Sequence, residues 1–233
     1  MNTPSVTREH RISALEEAGW SLAADRIIHG LCHDLSGRAS AMGGLTYLMD
    51  DRSQGVAEVL PLMTQELGRL EEAVRLLRLL PDDSTVEEIL APGEILGDVA
   101  RLVRTQRGLE NVEVVLEIAS DAPAVRMDRT IFVRSLALLL TGAAERALLA
   151  GAERVTVRAG TEANGLVIEL APFPEAGDGE RVDPVALPQR ILPLRGMREV
   201  GKVLAASGVG VEELRPEDGE GTLSLTYPPP FSS

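Results

Sequence analysis

The chain has 233 residues, and its content of 44% apolar but only 3% aromatic residues predicts a globular core of aliphatic side chains. Its formal net charge of −13 argues against nucleic acid and anionic membranes, because both are bound through clusters of Lys and Arg. We therefore expect neither a nucleic acid nor a membrane as a partner.

The cysteine content and the first residues together predict the compartment. Cys32 is the only cysteine, so no disulfide can form within the chain. The first residues lack the apolar segment of a signal peptide, and no apolar run approaches the roughly 18 residues of a transmembrane helix. We therefore expect a protein of the reducing cytoplasm.

Residues 7–50 form the first predicted element, a long amphipathic helix. Its apolar side chains recur at alternating three- and four-residue steps, which places them in one stripe. The stripe consists of Leu31, Leu35, Met42, Leu45 and Met49. His33 lies about 160° from this stripe at the helical step of roughly 100° per residue, so its imidazole should face water. Cys32 flanks the stripe and should be a small buried side chain.

A second predicted helix spans residues 56–80 and carries a heptad-like apolar stripe. Two helices of this length form an antiparallel hairpin that leaves apolar surface uncovered. Pairing of two hairpins would bury that surface, so we expect a homodimer with a four-helix bundle. The alternative is that the C-terminal part of the chain covers the hairpin. Gly30 and other glycines each weaken the first helix by up to about 1 kcal/mol, so packing must hold it.

The residues after the hairpin predict a mixed arrangement of helices and strands. Residues 81–85 contain proline and polar residues and are predicted to be a linker. The later predicted helices are 93–106, 129–150 (capped by Asp128) and 188–207, and the predicted strands are 112–118, 154–158, 165–170, 209–214 and 222–227. We expect an α+β chain with a hairpin domain at residues 1–82 and an α/β sandwich domain at residues 91–233.

Three features of this chain resemble the catalytic core of two-component sensor histidine kinases. His33, Asp34 and Leu35, followed by small or polar residues and an apolar run, resemble the phosphoacceptor helix of that family. A hairpin followed by a sandwich resembles the family's dimerisation domain and its nucleotide-binding domain of the Bergerat type. The phrases at residues 123–129 and 219–228 resemble a turn and the closing strand of that domain. The resemblance implies the same fold and a role in two-component signalling.

The positions that would bind ATP in such a kinase differ here. The family's Mg²⁺-binding Asn lies in a Leu-Leu-x-Asn-Ala phrase, and Gly142 stands at the matching position. No acid stands after the strand at residues 165–170, where the family has Asp-x-Gly-x-Gly, and Gly196 alone remains of the glycine-rich lid. Glu145 is the alternative oxygen donor. These departures imply a degenerate sandwich without a working nucleotide site, so we expect no cofactor and no bound metal.

Without a nucleotide site, His33 is the candidate residue for phosphate chemistry. A neutral imidazole can attack the aspartyl phosphate of a receiver domain, which supplies its own Mg²⁺, and can pass the phosphoryl group onward. Asp34 is the candidate to orient the ring or accept its proton, and Arg38 is the candidate to steady a phosphoryl oxygen. The alternative roles of these two residues are a solvated helix acid and an ordinary salt bridge. His29, four residues before His33 on the same face, is the competing phosphoacceptor.

Three functions are compatible with these residues. The first hypothesis is a histidine phosphotransferase that takes phosphate from one response regulator onto His33 and passes it to another. The second is a non-catalytic pseudokinase scaffold that binds receiver domains. The third is a divergent ATP-dependent histidine kinase. Whether the chain is an enzyme depends on which of these holds.

Overall fold

The computed structural model describes residues 7–50, 56–80, 87–162, 165–173, 194–214 and 221–229. The described helices are α1 (Arg8–Glu17), α2 (Trp20–Asp50), α3 (Val56–Leu77), α4 (Pro92–Arg104), α5 (Arg129–Leu149) and α6 (Leu194–Ala206). The described strands are β1 (Glu87–Leu90), β2 (Glu113–Ile118), β3 (Val125–Asp128), β4 (Arg154–Glu162), β5 (Gly165–Phe173), β6 (Gly210–Leu214) and β7 (Gly221–Tyr227). This order confirms the predicted mixed α+β class. The predicted linker at residues 81–85 lies outside the described residues.

The first predicted helix consists of two helices, because the chain turns at Gly19. This residue has a φ of 109°, a left-handed backbone conformation that glycine adopts without a steric penalty. Thr7 caps α1, and its hydroxyl accepts a hydrogen bond from the backbone N–H of His10 at 3.3 Å. The prediction of one continuous helix over residues 7–50 is therefore wrong at this point. The turn allows α1 to pack against α6 instead of extending α2.

The strands form a mixed five-stranded sheet and a short two-stranded ribbon. In the sheet, with the order β2-β4-β5-β7-β6, β2 and β4 are parallel and the other neighbours are antiparallel. In the ribbon, β1 pairs with β3 in antiparallel register, with Leu90 opposite Val125. The sequence pattern predicts no strand at Glu87–Leu90, because so short a segment has no strong local signal and depends on its partner strand.

Helix α5 is at the centre of the packing. Every residue from Thr130 to Glu145 is buried, enclosed by the sheet and by helices that include α4 and α6. Asp128 caps the helix as predicted, and its carboxylate accepts a hydrogen bond from the backbone N–H of Ile131 at 3.1 Å. A helix with apolar residues on all sides is stable only when other elements enclose it, which explains its central position.

The buried core is continuous from α1 into the sheet. It includes Leu15 of α1, Ile27 of α2 and Leu76 of α3, together with side chains of α5 and of the five-stranded sheet. The base of the hairpin formed by α2 and α3 therefore packs on the α/β part of the chain. At this base, the C-terminal part of the chain covers the hairpin, which is the alternative to coverage by a second hairpin. The far part of the hairpin exposes apolar side chains. No helix in the described residues has the length and apolar content needed to cross a membrane.

A buried tyrosine makes the stability of this fold dependent on pH. Tyr227 lies edge-on to Phe132 with ring centroids 5.3 Å apart, and its hydroxyl has no hydrogen-bond partner among the described residues. Burial raises the pKa of Tyr227 far above its ordinary value, because the phenolate would be desolvated. The free energy of unfolding therefore falls as the pH rises above about 10, where the tyrosine of the unfolded chain ionises.

We expect Tyr227→Phe to raise the free energy of unfolding at neutral pH by up to about 1 kcal/mol, since it removes an unpaired buried hydroxyl. Above pH 10 or so, the wild type should lose up to about 1.4 kcal/mol per pH unit relative to the variant. Urea unfolding at neutral and alkaline pH measures both effects. Tyr47→Phe is the control, because Tyr47 is 70% exposed and its substitution should leave the alkaline loss unchanged. A loss of stability in Tyr227→Phe at neutral pH would contradict this assignment.

Candidate functional site

A cleft of about 840 Å³ lies between α2, α3 and the end of α4. Its lining is rich in ionisable side chains. These are His29, His33, Asp34 and Arg38 of α2, Arg69 and Glu72 of α3, and Arg101, Arg104, Arg107 and Glu110 of α4 and the turn after it. The structure thus brings the three predicted site residues and His29 together with arginines from a distant part of the chain.

His33 is exposed on α2 and lines this cleft. It makes no hydrogen bond or ion pair with any residue that the structure describes, so both ring nitrogens are open to a reactant. The prediction that its imidazole faces solvent is confirmed. His29 is also exposed and lines the same cleft one helical turn earlier, so both candidate acceptors are accessible. Cys32 is exposed, and the prediction of a buried thiol is wrong because its neighbour Leu31 takes the buried position on α2.

Asp34 and Arg38 pair with each other. The guanidinium of Arg38 donates from Nε to Asp34 Oδ2 at 3.1 Å, and its Nη2 lies 2.9 Å from Asp34 Oδ1. Arg38 also donates from Nη1 to Glu66 at 3.3 Å, and Glu66 accepts from Arg69 at 2.6 Å. The ordinary salt bridge that was the alternative role of Arg38 is therefore present. The two-point contact with Arg38 fixes the carboxylate of Asp34, the residue that follows His33 in the chain.

Helix α4 and the turn after it add positive charge to the cleft. Arg101 is paired, with its Nε 2.9 Å from Glu72 and its Nη1 3.0 Å from Asp98. Arg104 and Arg107 are exposed and form no ion pair within the described part of the chain. They are therefore two cations without a carboxylate partner among the described residues. No signal in the sequence indicates that they share a cleft with the histidines, because only the approach of α2 to the end of α4 brings them there.

Gly30 permits this approach. A Cβ atom at this position would overlap the carbonyl oxygen of Thr105 and lie 2.7 Å from its carbonyl carbon. Only glycine allows the contact, since the backbone at the end of a helix cannot move aside as a flexible side chain can. From the sequence, Gly30 is only a residue that lowers helix stability. In the structure, Gly30 is a packing contact between two helices. It brings the face of α2 that carries His33 to the end of α4.

Two positions that the resemblance assigns to Mg²⁺ binding, Gly142 and Glu145, contact other side chains of this chain. Gly142 of α5 faces Met197 of α6, whose sulfur would lie 2.8 Å from a Cβ atom at position 142. Glu145, the alternative oxygen donor, is buried and accepts a hydrogen bond from Arg26. Neither position therefore presents a free oxygen ligand to an ion. In the described ranges, no group of three or more His, Cys, Asp or Glu residues is placed to hold a metal ion.

Helix α1 packs against the start of α6. A Cβ atom at Gly196 would overlap the carbonyl oxygen of Ala18, so the end of α1 lies directly on α6. An ion pair of 2.6 Å between Arg8 and Asp128 also ties α1 to the beginning of α5. Residues 174–193, which include most of the predicted loop after β5, lie outside the described residues.

No family model matches the chain, and no curated protein matches it. Among solved structures, Acinetobacter baumannii histidine kinase AdeS is 13% identical over 84% of this chain and 96% of its own, at a TM-score of 0.43. A bacterial phosphotransferase is 15% identical over 87% of this chain and 95% of its own, at a TM-score of 0.42. Mycobacterial sensor histidine kinase MprB is 18% identical over 63% of this chain and 100% of its own, at a TM-score of 0.44. The similar structures are thus largely of the histidine-kinase type, at low sequence identity.

Proposed function

We propose that the chain is a histidine phosphotransferase of a cytoplasmic two-component phosphorelay. It takes a phosphoryl group from the aspartate of one response-regulator receiver domain onto His33 and passes the group to a second receiver. The observation that carries the proposal is His33 itself, an exposed imidazole with no bonded partner among the described residues, in a cleft rich in arginine. Receiver domains are therefore the proposed partners.

The transfer step uses groups that this chain and a receiver domain supply. The unprotonated ring nitrogen of His33 attacks the phosphorus of the aspartyl phosphate. An N–P bond forms as the P–O bond to the aspartate breaks, and the aspartate leaves as a carboxylate. The ring releases the proton of its other nitrogen to solvent or, through water, to the Asp34 carboxylate that Arg38 holds. The reverse reaction with an unphosphorylated second receiver completes the relay.

The packing around α5 supports a protein, and not ATP, as the phosphate donor. Met197 occupies the space beside Gly142, and Glu145 is engaged with Arg26. The proposal therefore includes a degenerate Bergerat-type sandwich at residues 91–233, with the hairpin domain at residues 1–82. Such a sandwich keeps its architecture as a platform for the hairpin without performing the kinase reaction.

A non-catalytic scaffold that binds receiver domains through the same cleft is the second candidate function. One observation favours it: the carboxylate of Asp34 contacts Arg38, and the His33 ring has no orienting partner among the described residues. A scaffold would bind receivers without ever carrying phosphate.

Incubation with a panel of phosphorylated receivers and, separately, with ATP and Mg²⁺ separates the three functions. We expect acid-labile radiolabelled phosphate on the chain from at least one receiver and none from ATP. Binding of receivers without any transfer of label would favour the scaffold. Labelling from ATP would instead establish the divergent kinase and show that the surroundings of Gly142 and Glu145 do not prevent the use of ATP.

We further propose that two copies of the chain pair through the hairpin and form the four-helix bundle. Leu60, Leu67 and Val74 follow one another at seven-residue steps on α3, and they are 56%, 48% and 43% exposed. A row of exposed apolar side chains with heptad spacing is the kind of surface that a second helical hairpin buries. The chain should therefore sediment as a dimer.

Leu67→Glu should convert this dimer to a monomer in analytical ultracentrifugation, because it would place unpaired charges inside the helical interface. Ile89→Glu is the matched control, since Ile89 is an apolar side chain of β1 that is 61% exposed and lies outside the hairpin. This control variant should sediment like the wild type. A monomeric wild type, or a Leu67→Glu variant that remains dimeric, would contradict the proposed bundle.

A further inference from the structure

We propose that Arg104 and Arg107 bind the phosphoryl group while His33 carries it. This inference rests on the proposed phosphotransfer and identifies the groups of the α/β part of the chain that take part in it. Both arginines line the cleft into which His33 opens. Neither forms an ion pair with any residue in the described ranges.

The charge balance of the cleft makes these two arginines the available anion-binding groups. Five arginines and three acidic residues line it. The arginines already engaged with carboxylates, at distances from 2.6 to 3.3 Å, are Arg38, Arg69 and Arg101. The carboxylate of Glu110 accepts a hydrogen bond from the backbone N–H of Gly108. Arg104 and Arg107 remain to compensate a new negative charge.

A phosphohistidine creates that charge. The phosphoryl group adds about two negative charges at neutral pH to a chain whose formal net charge is already −13. The Debye length is about 8 Å at physiological ionic strength, so distant acids are screened and the charges in the cleft determine the local potential. The charged phosphoryl oxygens accept two-point hydrogen bonds from a guanidinium, whereas a neutral imidazole offers only one uncharged acceptor nitrogen. Two guanidinium groups in the cleft therefore stabilise the phosphorylated state of His33 relative to the unphosphorylated state.

The fold places both arginines for this contact. They flank Thr105, the residue whose carbonyl group contacts the backbone of α2 at Gly30. Both arginines line the same cleft as His33, and the planar fork of a guanidinium matches two oxygens of a phosphoryl group. The packing of α2 on α4 thus brings the phosphate acceptor and the phosphate-binding groups together.

The equilibrium of phosphate exchange between a receiver and the chain tests this inference. The labelled fraction of each protein is measured after the reaction has stopped changing. We expect the double variant Arg104→Gln/Arg107→Gln to lower the equilibrium constant for phosphate on His33 about tenfold. Arg198→Gln is the matched control, because Arg198 is an exposed arginine of α6 outside the cleft, without an ion pair in the described residues. It should leave the equilibrium constant unchanged.

Two results would overturn the inference, and they are distinguishable. If the double variant and Arg198→Gln give the wild-type equilibrium constant, the arginines do not bind the phosphoryl group, although phosphotransfer to His33 stands. If no receiver labels the wild type, the proposed function itself fails and the inference fails with it.

Chemical phosphorylation with potassium phosphoramidate provides a readout that needs no receiver. The signal of phosphorylated His33 in phosphorus NMR is identified by its loss in His33→Ala. In the wild type this phosphoryl group should take up its proton at a lower pH than in the double variant, since neighbouring cations favour the dianion. Identical titrations in the two proteins would overturn the inference, because a purely structural role of the arginines would not change this midpoint.

Discussion

His33→Ala should abolish the transfer of phosphate to the chain. The imidazole is the group that forms the N–P bond, so its removal leaves no acceptor, and label from phosphorylated receivers should fall to background. Because the side chain is exposed, the free energy of unfolding should change by less than about 0.5 kcal/mol. Phosphate labelling and urea unfolding on the same preparation distinguish a loss of chemistry from a loss of fold.

His29→Ala is the matched control for this prediction. His29 is exposed in the same cleft one helical turn before His33, so the two substitutions remove the same side chain from similar surroundings. His29→Ala should keep most of the label. The opposite pattern would make His29 the acceptor. Label that survives both single substitutions would refute phosphorylation of a histidine in this cleft.

Gly30→Ala should destabilise the fold by about 2–4 kcal/mol, a large effect for the addition of one methyl group. The new Cβ atom would overlap the carbonyl oxygen of Thr105. Neither backbone can shift alone, because Leu31 of α2 and Leu102 of α4 are both anchored in the common core. Relief of the overlap requires the end of α4 to move away from α2, which would also open the cleft beside His33.

Gly37→Ala is the control on the same helix. A Cβ atom at Gly37 would have no heavy atom within 4 Å beyond the backbone of its own helix, so this substitution should stabilise the fold by up to about 1 kcal/mol through helix propensity. Urea unfolding should therefore give opposite signs for two identical substitutions in α2. A Gly30→Ala protein as stable as the wild type would show that α2 and α4 do not meet at Thr105.

Features that depend on near neighbours were predictable from the sequence. The apolar period of α2 places His33 on the exposed face, and the position of Asp128 before an apolar run predicts its role as a helix cap. Both follow from the geometry of one or two helical turns. The same period misplaces Cys32, because the width of the buried face depends on what packs against it.

Features that depend on distant partners were not predictable. The break at Gly19 depends on the packing of α1 on α6. A single glycine within a helical pattern is found both inside helices and at their ends, so the sequence alone does not predict a break. Strand β1 exists because β3 pairs with it. Met197 lies beside Gly142 because α6 packs on α5. The sequence shows that glycine replaces an expected ligand, but it does not show which side chain packs there.

The sequence by itself determined the five strands of the larger sheet, the cap of α5 and the outward direction of His33, because each is set by a pattern within a few residues. Only the tertiary structure decided that Arg104 and Arg107 share a cleft with His33 and that Gly30 is the point of contact. These features join α2 to α4 across a long stretch of intervening chain. No local period of side chains encodes a meeting of that kind, since it depends on how the whole core packs.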